Sequence, residues 1–146
     1  MTKNLCVCAI NNNGQLGCWD INHKSKGLFL EDVDMHDISI RFDPINRIVE
    51  VYRLKTSGVI VDTENIPARF HSDVFLIDAG SFHACALRQD VLAQPGGELG
   101  CWGKNDFGQT SAPSGCAATV LQVSLGSMHT CAMSWRILTC WGSNQY

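Results

Sequence analysis

Residues 80–109 read GSFHACALRQDVLAQPGGELGCWGKNDFGQ, and the fold follows from how this stretch is parsed. Residues 82–87 and 98–102 are short apolar runs bounded by Gly, Pro and Asn, which is the composition and punctuation of two β-strands. The pattern returns. Residues 125–133, LGSMHTCAM, repeat AGSFHACAL, and residues 138–144, LTCWGSN, repeat LGCWGKN. A unit of this size cannot bury its apolar face alone, so tandem copies are predicted to stack on one another.

Working outward, residues 4–10 and 15–19 flank the turn signal NNNG and form a hairpin, followed by the polar loop INHKSKG and a short strand over 28–33. HDISIRF (36–42) and RIVEVYRL (47–54) flank the turn DPIN and predict a second hairpin. Met35-His36, Phe82-His83 and Met128-His129 recur at intervals of 47 and 46 residues, a near-constant period. The same alignment puts Val51-Tyr52 on Cys101-Trp102 and Gly58 on Gly108. The alternating runs 73–78 and 119–125 lead into Gly80 and Gly126 as further strands. Helical periodicity is weak throughout. The array divides into a partial unit (1–33), a diverged unit (34–78), a whole unit (79–118) and a truncated unit (119–146).

Composition excludes more than it assigns. With 17% charged residues and a net charge of -3, the 146-residue chain carries no basic stripe for nucleic acid. No run approaches the ~18 apolar residues of a membrane helix, and MTKNLCVCAI is too short and polar for a secretory signal. The eight cysteines stand out. Cys8 and Cys18 are symmetric about Asn13, Cys131 and Cys140 about Trp135-Arg136, and Cys85 and Cys101 hold the same places around the longer connection RQDVLAQPGG. Directly opposed antiparallel residues have Cα separations of ~4.5–5.5 Å, which a disulfide accepts. In the diverged unit both positions are lost together, as Ile38 and Val51, which favours three pairs that act as disulfides. Reduced thiols packed as small core hydrophobes are the competing reading. Disulfides imply an oxidising compartment, extracellular or an organelle lumen. Cys6 and Cys116 are left over, as free thiols or for a bond to a partner.

The remaining candidates for chemistry are weak. His83 and Cys85, His129 and Cys131, and Cys6 and Cys8 each share a strand face, but opposed cysteines in a flat hairpin do not converge on a tetrahedral metal, so no metal is expected. A thiol buried in an apolar strand is inert, and a repeated His-x-Cys is not a unique site, so no catalytic residue and no cofactor are expected. The imidazoles are expected to bond to backbone near the Gly80 and Gly126 turns. Glu31, Asp32 and Asp34 read as a solvated loop. Trp19, Trp102 and Trp141 are expected to pack between neighbouring units. Trp135 sits at a hairpin tip, where a polar turn residue is the norm. With Lys104, Asp106 and Phe107 in one loop and Val91 and Leu92 in an insertion, it forms the set of interface candidates.

VSLGSMHTCAM followed by LTCWGSN, with AGSFHACAL and LGCWGKNDFGQ before it, resembles the repeats of the regulator of chromosome condensation (RCC1-like) family, most closely its cysteine-rich CWG-type variants. The resemblance implies an all-β fold, a β-propeller commonly of about seven blades, each repeat forming a four-stranded sheet. Two whole and two partial units make an incomplete ring of three to four blades, whose open sheets need covering. The function it implies is a non-enzymatic protein–protein interaction platform or structural scaffold subunit. Its partners would be other protein chains, in a larger assembly or a homo-oligomer. A hydrolase or lyase using a propeller pocket is the second reading, and no convergent ionisable set is legible for it. Guanine-nucleotide exchange on chromatin would need a full ring and a basic tail.

Overall fold

The computed structural model describes residues 6–13, 15–20, 28–30, 35–43, 48–61, 66–89, 96–116, 119–135 and 137–144. Among them lie four antiparallel meanders: β1 (Cys6–Ile10), β2 (Leu16–Asp20) and β3 (Leu28–Leu30); β4 (Met35–Asp43), β5 (Ile48–Lys55) and β6 (Ile60–Val61); β7 (Val74–Ala79), β8 (His83–Gln89) and β9 (Gly97–Gly103); and β10 (Val120–Leu125), β11 (His129–Ser134) and β12 (Leu138–Gly142). One turn of 3-10 helix, Ala68–Phe70, precedes β7. The first two meanders are separate three-stranded sheets. The last two join into one sheet of six through a single bridge, Val120 to Gly97, which gives β9 a neighbour beyond its own meander. The division expected between residues 78 and 79 falls inside β7, which pairs with β8.

Local chemistry explains the hairpins. At the first, the Asn11 carboxamide oxygen accepts hydrogen bonds from the backbone N–H of Asn13 (2.9 Å) and Gln15 (3.0 Å), while Asn11 N–H donates to the Gln15 carbonyl (2.9 Å). The asparagine side chain thus substitutes for a backbone turn partner. The two glycines after the Trp positions, Gly103 and Gly142, have φ of 107° and 103°, a region closed to most side chains. They release the chain from β9 and β12, and the next residues donate to Phe82 and Met128: Lys104 N–H to one carbonyl (2.9 Å), Ser143 N–H to the other (2.8 Å).

Three hairpins share one register about their cysteines: Cys8 faces Cys18, Cys85 faces Cys101, and Cys131 faces Cys140. The Trp position then falls opposite Val7, Ala84 and Thr130. The second meander corrects one expectation. Val51 faces Ile40, and Ile38 faces Arg53, two residues away from the pairing expected, and β4 begins with an irregularity between Met35 and Asp37. A slip of two residues keeps every side chain on its own face, so alternation alone could not reveal it. His83 and His129 hold equivalent places, opposite Gly103 and Gly142; His36 sits at the irregularity instead.

The meanders stack in chain order, with β1 against β4, β4 against β7, and β10 against β7 and β8. Two cores lie between the last three. Tyr52, Leu54, Ile60, Ile66, Phe70, Val74, Ile77, Ala84 and Ala86 close the space between the second and third. Cys85, Leu87, Leu99, Val120, Val123 and Ala132 close that between the third and fourth. This explains why HACAL in β8 is buried at every position: Ala84 and Ala86 face one neighbour, Cys85 and Leu87 the other.

Candidate interaction surface

The stack is keyed by polar contacts as well as apolar ones. Gly80 N–H donates to the His83 carbonyl and Gly126 N–H to the His129 carbonyl, each at 2.9 Å, so both GSxH turns are built alike. A Cβ on Gly80 would overlap the Gly126 carbonyl of the next meander, and one on Gly126 would overlap the His129 ring. The imidazole contact differs from the expected bond to local backbone. His83 Nε2 reaches Thr130 Oγ1 of the next meander at 2.7 Å. The single Thr130 hydroxyl proton is given to the Gln109 carbonyl at 2.8 Å, so His83 Nε2 carries the proton and donates. Burial pulls the His83 pKa down to about 4, with the positive charges of Arg41 and His129 adding to it, and the ring is neutral near pH 7.

Gln109 is the other half of this key, and its role was not legible in the sequence beyond its place in the repeat signature. Its carbonyl also accepts from Trp141 Nε1 (3.0 Å), and its side-chain oxygen accepts from Phe107 N–H (2.9 Å). Asn105 holds the loop that delivers it: its carbonyl accepts from Gly108 N–H (3.0 Å) and its side-chain oxygen from Thr110 N–H (2.9 Å). The run Trp-Gly-x-Asn-x-x-Gly-Gln is therefore a device for carrying a fully buried glutamine to the next unit. Asp78 adds a second key: its carboxylate accepts from Ser39 Oγ (3.4 Å) on β4 and from Leu125 N–H (2.8 Å) on β10, bridging three meanders.

The sulfurs of Cys85 and Cys101 are bonded, as are those of Cys131 and Cys140, with Cα separations of 4.1 and 4.0 Å. Cys85 therefore has no thiolate to pair with His83, and the two do not form a nucleophile and base. Cys116 is a half-buried free thiol. Cys8 and Cys18 are opposed in the strands, and their side chains lie outside what the structure describes. No group of three or more metal-ligating side chains occurs among the described residues.

Trp102 lies between the second and third meanders, edge-on to Tyr52 at 5.9 Å and tilted against Phe70 at 6.2 Å. Burial, helped by the hydrogen bond to Glu50 at 2.7 Å, raises the Tyr52 pKa to about 12, so this phenol stays protonated. Trp141 packs between the third and fourth meanders. The side chain of Trp19 lies outside the described ones.

Of the surface candidates, Trp135 is 65% exposed and Phe107 41% exposed. Lys104 pairs with Asp106 at 2.9 Å and lies 5.2 Å above the Phe82 ring, so this loop is braced rather than free. Val91 and Leu92 lie outside the described residues. Trp135 is not isolated. Met133, Ile137 and Leu138 are exposed beside it, so the β11–β12 hairpin presents four large apolar side chains to solvent. His129 and Cys140 are exposed on the same two strands.

No family model matches the sequence, and no curated protein matches it. The fold has solved counterparts. The ectodomain of the Physcomitrella patens receptor kinase CR4 superposes with a TM-score of 0.65 at 20% identity, over 94% of this chain and 39% of that one. Yeast RCC1 (Prp20), solved bound to Kap60, superposes with a TM-score of 0.60 at 17% identity, over 90% and 38%. Prp20p of Saccharomyces cerevisiae, studied for its binding to Gsp1p and histones, gives 0.55 at 16%, over 90% and 40%. The chain is thus an all-β, RCC1-like partial propeller with open sheets. It spans about two fifths of the length of these solved chains. No described helix is long and apolar enough to cross a membrane.

Proposed function

We infer that this chain is a non-enzymatic propeller segment, a rigid platform that works by binding other protein chains. The observation that carries this is the β11–β12 hairpin, where Trp135, Ile137 and Leu138 are 65%, 64% and 68% exposed beside a tightly keyed core. A platform needs rigidity behind its contact residues, and the His83–Thr130–Gln109 chain with two cross-strand disulfides supplies it. Protein binding by the yeast counterparts, to Kap60 and to Gsp1p and histones, supports the class of partner and not its identity. The disulfides fit an oxidising compartment, extracellular or an organelle lumen, and the receptor ectodomain counterpart agrees with that.

Mass under native conditions tests the reading. Assembly with further copies or with a partner chain is expected, weakened by Trp135→Ala. A monodisperse monomer, indifferent to that substitution and to every protein offered, overturns it.

A further inference from the structure

The two faces of β8 are held by different chemistry. Ala84 and Ala86 pack toward the second meander in an apolar core, while His83, Cys85 and Leu87 face the fourth. On that second face the order of protons is fixed. His83 Nε2 donates to Thr130 Oγ1 and Thr130 donates to the Gln109 carbonyl, so Nδ1 is the ring nitrogen left to take up a further proton. His83 Nδ1 is buried and has no hydrogen-bond partner among the described residues.

The surroundings do not favour a cation there. Arg41 of β4 brings Nη1 to 3.3 Å from where a Cβ on Gly103 would lie, and Gly103 is the register partner of His83. His129 of β11 holds the equivalent place on the next meander, and Lys104, after β9, is paired with Asp106. The carboxylates on the neighbouring strands are already engaged: Glu50 of β5 by Arg41 (3.2 Å) and Tyr52 (2.7 Å), and Asp78 of β7 by Leu125 N–H (2.8 Å) and Ser39. β10 and β12 bring no charged side chain.

We propose that the joint between the third and fourth meanders is an acid-operated hinge, in which a proton on His83 Nδ1 is accommodated by exposing the ring to water, lifting Thr130 and the fourth meander off the third while the second and third stay docked. A charged ring left in place would hold a second N–H with no acceptor, close to a guanidinium. The opening is local because the core between the second and third meanders lies on the other side of β8, and one bridge, Val120 to Gly97, joins the fourth meander to the sheet of the third. In keeping with this, burial first, then Arg41 and His129, lower the His83 pKa from 6.5 to about 4. The closed joint is fully favoured above about pH 6.5 and loses that preference as pH falls toward 4, because the opened form binds the proton first. The hinge goes beyond the platform reading and does not depend on it.

A meander cannot hold its strands without a neighbour, so opening is read as amide exchange in residues 120–142. Exchange of the full chain, resolved by peptide and corrected for the intrinsic pH dependence of amides, is followed from about pH 7 to about pH 4. In β10, β11 and β12 the opening constant is expected to rise up to about tenfold per pH unit below about pH 6.5, while β4, β5 and β7 stay protected. His83→Gln flattens the rise and His129→Gln keeps it. Should the glutamine variant at 83 fail to fold, the native chain still decides: the His83 ring resonances titrate with the same midpoint as the exchange.

Loss of protection in β4, β5 and β7 in step with β10 to β12 overturns the proposal, since the acid step is then global unfolding. So does exchange in residues 120–142 that is indifferent to pH, a rise that survives His83→Gln or vanishes in His129→Gln, or a His83 ring that titrates with no change in exchange.

Discussion

Leu87 and Leu99 face each other across β8 and β9 and are buried to 0% and 4% exposure; Met133 and Leu138 face each other across β11 and β12 and are largely open. The strands around them are near copies, with a disulfide two places along and a tryptophan beyond it. Burial in this molecule is thus a property of what lies alongside a meander, not of the meander itself. Alternation makes this possible, because each strand offers one face to the unit before it and one to the unit after.

The comparison breaks most sharply on substitution of its two central residues. Leu87→Ala is expected to cost about 2–5 kcal/mol, the transfer loss plus a cavity in the core between meanders, whereas Met133→Ala stays within about 0.5 kcal/mol. Denaturant unfolding of both variants checks this, and equal losses would mean that the fourth meander is as well covered as the third.

Next in size is the dependence on pH through His83. Its pKa is lowered from 6.5 to about 4, so the folded state prefers the neutral ring. Stability from this group is complete above about pH 6.5 and is lost as pH falls toward 4, where the unfolded chain takes up the proton first. The loss is on the order of 3 kcal/mol at most, and less where water reaches the opened ring. Unfolding midpoints from pH 7 to 4 should fall for the native chain and flatten over that window in His83→Gln.

Thr130→Val removes the hydroxyl that joins His83 to the Gln109 carbonyl and leaves both buried without that partner. About 1–3 kcal/mol is expected, measured by thermal or denaturant unfolding, and a neutral result would show that apolar packing alone holds the third and fourth meanders together. The smallest effect on stability is that of Trp135→Ala, within about 0.5 kcal/mol, since the ring has little of its surface to lose. Its consequence is expected in assembly mass instead.

Much of the fold was readable because it is local. The turn residues NNNG and the alternating runs place β1, β2, β7, β10 and both repeated hairpins within a residue or two, and the symmetry of Cys131 and Cys140 about the hairpin tip yields their register. The candidate surface was readable in part: Trp135 stands out as an unusual hairpin-tip residue and Phe107 as an aromatic in a loop, while Ile137 and Leu138 look like any strand residues. Asp78 and Thr130 gave no signal, because a carboxylate or hydroxyl in an alternating strand looks the same whether it meets solvent or a neighbouring sheet. The two-residue slip of β4 was likewise silent, since it preserves every face.

Periodicity and turn chemistry act within a few residues of chain, so the amino-acid order alone makes strands, hairpins, opposed cysteines and a repeating module. Which face of each module is sealed, which histidine loses its water, and which disulfide stays open depend on a neighbour some 47 residues away, as His83 depends on Thr130. Only stacking decides these, because removing apolar surface and imidazole from water requires a second surface to be there.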